Sequence, residues 1–260
     1  MDPFWVGLWA REKEFMRSIK PEFRHGAGLV GVATLSGQFY CEYKVENEFA
    51  LGEVPSEAKE AGTDLHDELM PIEEIAPEDF ARLVSGKGPN YAVLGLWGVI
   101  GGLRLVGMPD HMIWSYGSPI WLMELKTTRG DPNLLWRDQE IQARIYGLLL
   151  DSMGFDCSNL KLAVVRLRSG ALDDGEKGDW IAKVSRALVD GTIEELEREH
   201  RGSMKIHTLR HEKSVAEAAV AAKRGYWIGE REPTSSESIA KCRACEYNKV
   251  CVKSLTRPKW

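Results

Sequence analysis

The chain has 260 residues, 43% of them apolar and 28% charged, the profile of a folded protein of one to two domains, which excludes disordered and fibrous classes. No apolar run approaches the roughly 20 residues of a membrane-spanning helix, the N-terminus has no signal-peptide pattern, and five cysteines are too sparse for a disulfide scaffold, so a cytoplasmic protein is expected. The net charge of −5 is unevenly spread: residues 201–260 carry 13 basic against 6 acidic side chains, whereas residues 42–79 carry 13 acids and 2 bases, which argues against indiscriminate polyanion binding but leaves room for a local basic groove.

In chain order, residues 1–30, with Trp5, Trp9 and Phe15, read as a packing arm. Ser36 is placed as the cap of a helix through Phe39, Tyr40, Tyr43 and Phe49 that stops at Gly52. Ser56 opens a second helix carrying Leu65 and Leu69, and Pro77 a third that ends at Gly86. Residues 91–128 read as three strands, broken at Gly101-Gly102 and at Tyr116-Gly117-Ser118-Pro119. The continuous apolar run Ile120-Trp121-Leu122-Met123 suits a strand buried on both faces. A long helix comes next, with Leu135, Ile141, Ile145, Leu148 and Leu149 at helical spacing, then an extended run over residues 160–167 and helices over 192–200 and 215–224. The order predicts an α/β fold with a mostly antiparallel meander.

The chemical signal begins at Met108-Pro109-Asp110, with Glu124-Leu125-Lys126 after it. A hairpin can bring Asp110 and Glu124 together, and strand alternation puts Glu124 and Lys126 on one face with Leu125 on the other. Charges in an apolar strand are costly unless compensated. A divalent cation held by the two carboxylates and the Leu125 carbonyl would compensate them, and would pull the pKa of Lys126 down so that it could orient a water. Near the C-terminus, Cys242, Cys245 and Cys251 form a compact C-x2-C-x5-C set. It reads as a metal site, with zinc as the generic choice and Cys41 or Cys157 able to supply a fourth thiol.

The Asp110, Glu124, Lys126 pattern resembles the PD-(D/E)xK nuclease core, whose carboxylates hold metal for phosphodiester hydrolysis. The RecB-like branch adds an upstream metal-binding histidine, matched by His66, and a QxxxY motif that positions DNA, matched by Gln142 and Tyr146. A histidine beside carboxylates favours Mn²⁺ over Mg²⁺. Iron–sulfur members of that branch place one cysteine before the core and three after it, at the spacing seen here. The resemblance therefore implies a [4Fe–4S] cluster on Cys41, Cys242, Cys245 and Cys251, clasping a channel for single-stranded DNA.

The closest resemblance is to the CRISPR-associated Cas-four family. It implies a restriction-endonuclease-like nuclease core over residues 31–232, with a central mixed sheet flanked by helices, an N-terminal arm over 1–30 and a cysteine segment over 233–260 that is completed by Cys41 and closes the core. The implied activity is a metal-dependent DNA exonuclease, 5′→3′ on single strands, that processes prespacers beside CRISPR integrase proteins. Two other readings share these motifs: a partner-dependent DNA-recognition subunit of an integrase complex, and a solo or viral exonuclease. A zinc-stabilised, non-enzymatic nucleic-acid binder is the rival from another class. For the DNA path, Arg201, Lys205, Lys223, Arg224, Lys241, Arg243 and Lys249 are the candidate basic residues, and Trp97, Trp114, Trp136 and Trp227 the candidate stacking platforms.

Overall fold

The structure is a computed structural model that describes residues 2–54, 68–69 and 75–257. Helix α1 (Pro3–Arg17) starts where the Asp2 carboxylate accepts from the Phe4 amide at 2.8 Å, with proline in the first turn. It buries Trp5, Leu8 and Phe15, so the arm expected at the N-terminus is a helix inside the core. Strand β1 (Val30–Gly31) leads into α2 (Val32–Gly37), and α3 (Glu42–Leu51) begins after a break, ending at Gly52 with φ of 78°. The single helix expected from Ser36 is therefore two. The Ser36 hydroxyl donates back to the Ala33 carbonyl within α2 instead of capping α3. The Ser56 cap and His66 lie outside the described residues. Helix α4 (Pro77–Ser85) runs as its proline and Gly86 predict.

The three strands expected next are five: β2 (Asn90–Tyr91), β3 (Leu96–Ile100), β4 (Leu103–Gly107), β5 (His111–Ser115) and β6 (Ser118–Thr128). Gly101-Gly102 and Tyr116-Gly117 are two-residue hairpin turns, all four residues at positive φ, the geometry that matches strand twist. Ser118 and Pro119, expected in the turn, already belong to β6. Then come α5 (Arg137–Met153), β7 (Lys161–Arg168), α6 (Asp174–Asp190), α7 (Ile193–Glu199), β8 (Met204–Arg210), α8 (Lys213–Trp227) and α9 (Ile239–Ala244). Three of these, α6, β8 and α9, are not among the elements the sequence predicts. A local signal for α6 exists in the reciprocal capping box of Asp173 and Glu176.

The strands form two mixed sheets, β1-β4-β3 and β2-β5-β6-β7-β8, rather than one meander. Consecutive strands β4 and β5 part into different sheets, and Met108-Pro109-Asp110 is the link between them. In the larger sheet β6 pairs antiparallel with β5 and parallel with β7 across α5. The fold is α/β with helices on both faces of that sheet. Leu122 and Val164 join α1, α5, α8 and the smaller sheet in one core, while Trp121, Met123, Val165 and Ile206 join α6 and α7 in the other.

The two ends of the chain meet at Glu42. Its carboxylate is 1% exposed and accepts from Lys223 at 2.8 Å, from Arg231 at 2.6 and 2.7 Å, and from the amide and hydroxyl of Thr234 at 2.7 and 2.9 Å. Burial alone would raise its pKa; the donations from Arg231, Lys223 and Thr234 outweigh that and hold it at about 2. Because the folded value lies below the unfolded one, the stabilisation is complete above the ordinary carboxylate range and disappears as pH falls through about 2. Removing one partner of such a buried network costs about 3–5 kcal/mol. Urea unfolding of Glu42→Gln at neutral pH should show a loss of that order, and the gap from the parent protein should narrow as pH is lowered toward about 2.

Candidate active site

Glu124 and Lys126 lie two residues apart on β6 and share the face that α5 covers. Glu124 is 2% exposed, and one of its oxygens, Oε1, accepts from Lys126 Nζ at 2.7 Å and from Gln142 Nε2 at 2.6 Å. Gln142 Nε2 also lies 3.2 Å from the Tyr146 hydroxyl, to which it donates. The i, i+4 spacing on α5 thus places Gln142 and Tyr146 on one face, and that face is turned to Glu124. Sequence periodicity alone would have read Tyr146 as core and Gln142 as surface; both are buried, at 3% and 7% exposure.

Asp110 lies in the link between β4 and β5. Its Oδ2 accepts from the Leu125 amide at 2.6 Å. Strand β5 stops at His111, opposite Met123, so the backbone edge of Leu125 faces the Asp110 carboxylate where a strand partner would otherwise sit. The N–H and C=O of a strand residue project to the same side, which puts the Leu125 carbonyl on the Asp110 side as well. Its side chain is buried in the opposite core. The structure therefore groups Asp110, Glu124, the Leu125 backbone, Lys126, Gln142 and Tyr146. His111, beside Asp110 in sequence, turns to the other face, where its Nε2 lies 3.0 Å from Ser185 Oγ.

Burial would lower the Lys126 pKa, but the Glu124 and Asp110 carboxylates prevail and hold it above its ordinary value. The lowering expected from the sequence depends on the charge of a bound cation beside the amine. Burial, with the Glu124 charge as the next contribution, likewise pushes the Tyr146 phenol up, which keeps it a neutral hydroxyl. The oxygen-rich donor set of two carboxylates and a backbone carbonyl suits a hard divalent cation.

Cys41, Cys242, Cys245 and Cys251 line a single cavity together with Tyr40, Tyr43, Lys44 and Lys241. Cys41 caps α3 in an extended conformation, Cys242 lies in α9, and Cys245 ends that helix. The segments are also tied directly: Tyr40 donates to the Lys241 carbonyl at 2.7 Å, Lys241 Nζ to the Tyr40 and Phe39 carbonyls, and Tyr247 to the Gly52 carbonyl at 2.8 Å.

Cys157 is elsewhere. With Asp151 and His211 it makes a separate Asp/Cys/His group whose ligand atoms do lie within 4.8 Å and could hold a metal. His211 Nε2 is 2.6 Å from Asp151 Oδ2, and burial, with Asp151, pushes the Cys157 thiol up. The sequence offers Cys157 only as a possible fourth thiol for the C-terminal set; this group leaves no sequence signal, because Asp151 comes from α5 and His211 from the end of β8.

Of the basic residues proposed as a DNA path, several are occupied locally. Lys205 pairs with Glu197, Lys223 with Glu42 and Arg224 with Glu230, and Lys241 donates to backbone carbonyls. Trp114 and Trp227 are fully buried, and Trp97 packs against Phe15, whereas Trp136, just before α5, is 41% exposed. No family model matches the chain, and no curated protein matches it. Among solved structures it is similar to one described as the crystal structure of SSO0001, with 14% identity, a TM-score of 0.45 and coverage of 88% of each chain.

The approach to Tyr146 depends on Gly107. A Cβ there would lie 2.6 Å from Tyr146 Cε1 and 3.1 Å from Val32 Cβ. Gly107→Ala should cost about 1–3 kcal/mol by overpacking, read as a lower urea midpoint with an unchanged denaturant slope.

Proposed function

We propose that this chain is a metal-dependent deoxyribonuclease, an exonuclease on single-stranded DNA, that also carries an iron–sulfur cluster. One observation carries the reading: Glu124, Lys126, Gln142 and Tyr146 converge by direct hydrogen bonds beside the Asp110–Leu125 contact. Asp110, Glu124 and the Leu125 carbonyl would hold Mn²⁺ or Mg²⁺. When bound, the ion would supply Lewis-acid chemistry to a phosphoryl oxygen and would make a water more acidic. The rest falls to the chain's own side chains. Gln142 fixes the Glu124 rotamer, so the carboxylate is preorganised. Lys126, cationic and anchored on Glu124, presents donors to an incoming phosphate or water. The neutral Tyr146 hydroxyl is a donor for the substrate strand.

The cysteine cavity supports a shared metal centre, because the four thiols line one space, and the resemblance makes that centre an iron–sulfur cluster. Cys41, Cys242, Cys245 and Cys251 would be its ligands, and its role here is structural, joining α3 to the C-terminal segment.

The test is a nuclease assay on anaerobically purified protein with end-labelled single- and double-stranded DNA in Mn²⁺, Mg²⁺ or EDTA. Shortening of single strands should require metal and should fall at least about a hundredfold in Lys126→Ala, and the labelled end gives the polarity. A folded protein that leaves DNA intact with either metal overturns the activity. For the cluster, the purified protein should be brown and contain iron, and Cys251→Ala should lose both colour and iron; zinc without iron at full occupancy overturns that assignment.

A further inference from the structure

Arg166 lies on β7 in register with Lys126 on β6 and with Lys205 on β8. Residues in register share a face of the sheet, and neighbouring strands are about 4.8 Å apart. Three cations therefore stand side by side across three strands, the first of them in the candidate active site. Two have a carboxylate: Lys126 has Glu124 at 2.7 Å, and Lys205 has Glu197 at 2.6 Å. The middle one has none among the described residues. Arg166 is 2% exposed, yet its Nε and Nη1 have no hydrogen-bond partner among those residues. Asp131 and Asp138 act on it through space without offsetting the desolvation that burial imposes.

An uncompensated buried cation is strongly destabilising, and like charges in adjacent strand positions add to that cost. An anion bound one strand away from Lys126 would offset that cost. The guanidinium is a planar fork that matches a phosphate bidentately. We propose that Arg166 binds a backbone phosphate of the nucleic-acid strand, neighbouring the phosphate presented to Lys126. The inference rests on the nuclease reading and deepens it. It assigns the substrate's second contact to β7, one strand from Lys126, and not to the basic C-terminal third.

The test uses the whole chain with EDTA present, so that binding is read without cleavage. A fluorescently labelled single-stranded oligodeoxythymidylate is titrated at several salt concentrations with the parent protein, Arg166→Gln and Arg166→Lys, and thermal melting of all three is recorded. Arg166→Gln should weaken binding about tenfold, the loss of one charged hydrogen-bonded contact, and should lower the salt slope by about one. Its melting temperature should be unchanged or higher, because an uncompensated charge has been removed. Arg166→Lys, which keeps the charge and loses the fork, should fall between. Parent affinity and parent slope in Arg166→Gln overturn the inference while leaving the nuclease reading intact. A lower melting temperature in Arg166→Gln with an unchanged slope also overturns it, making Arg166 a structural partner of Asp131 or Asp138. Failure of the parent protein to bind the oligonucleotide removes the nucleic-acid reading and this inference together.

Discussion

Burying the Glu124 carboxylate inside a strand that serves two hydrophobic cores makes a demand that the surrounding fold has to meet. A carboxylate taken from water without partners costs several kcal/mol even after relaxation, and Glu124 is 2% exposed. Lys126, two residues on, and Gln142, on the helix that crosses from β6 to β7, meet the demand together at one oxygen. The helix can do so only because Gly107 lets the Tyr146 ring approach the backbone and Gly147 lets His211 do the same on another side, where a Cβ would lie 2.7 Å from His211 Nδ1. Strand alternation then sends Leu125 and Met123 into the second core. The geometry that satisfies one buried charge thus also fixes the position of α5, the division of the cores and the grouping of the candidate catalytic side chains.

The chain ends are joined on the same principle, with the charges in a different role. Glu42 lies next to Cys41, and its partners come from residues 223–234, immediately before the cysteine segment. Tyr40, Lys241 and Tyr247 add hydrogen bonds across the same junction. The four thiols are therefore gathered around one cavity by contacts that do not involve sulfur. A cluster bound there would add to a closure already built by a buried carboxylate, and it would stabilise the fold mainly by restricting the unfolded chain, whose ends it would hold together across some 200 residues.

Helix α5, α8 and the alternating strands were legible because their apolar spacing is local and strong, and the hairpin turns were marked by Gly101-Gly102 and Tyr116-Gly117. Helix α6 was not read, although Asp173 and Glu176 carry a capping signal, and β8 was not read because an edge strand exposes polar residues such as Lys205 and Thr208 that break the apolar pattern. The split of the strands into two sheets was also hidden. Hairpin signals say which strands are adjacent but not whether β4 and β5, joined by Met108-Pro109-Asp110, stay in one sheet.

The sequence by itself determined which residues can carry chemistry: the period of two along β6 puts Glu124 beside Lys126, the i, i+4 step puts Gln142 beside Tyr146, and the cysteine spacing marks a ligand set. These are short-range consequences of backbone geometry. Tertiary structure alone decided that the two pairs face each other, that Asp110 binds the Leu125 amide, and that Arg166 lies beside Lys126 without a carboxylate of its own among the described residues; it also brings Cys41 to the C-terminal thiols around one cavity, a grouping for which spacing alone left Cys157 open. Each of those depends on strand register and on which elements pack together, and contacts between residues 15 to 200 positions apart leave no periodic trace in a single chain.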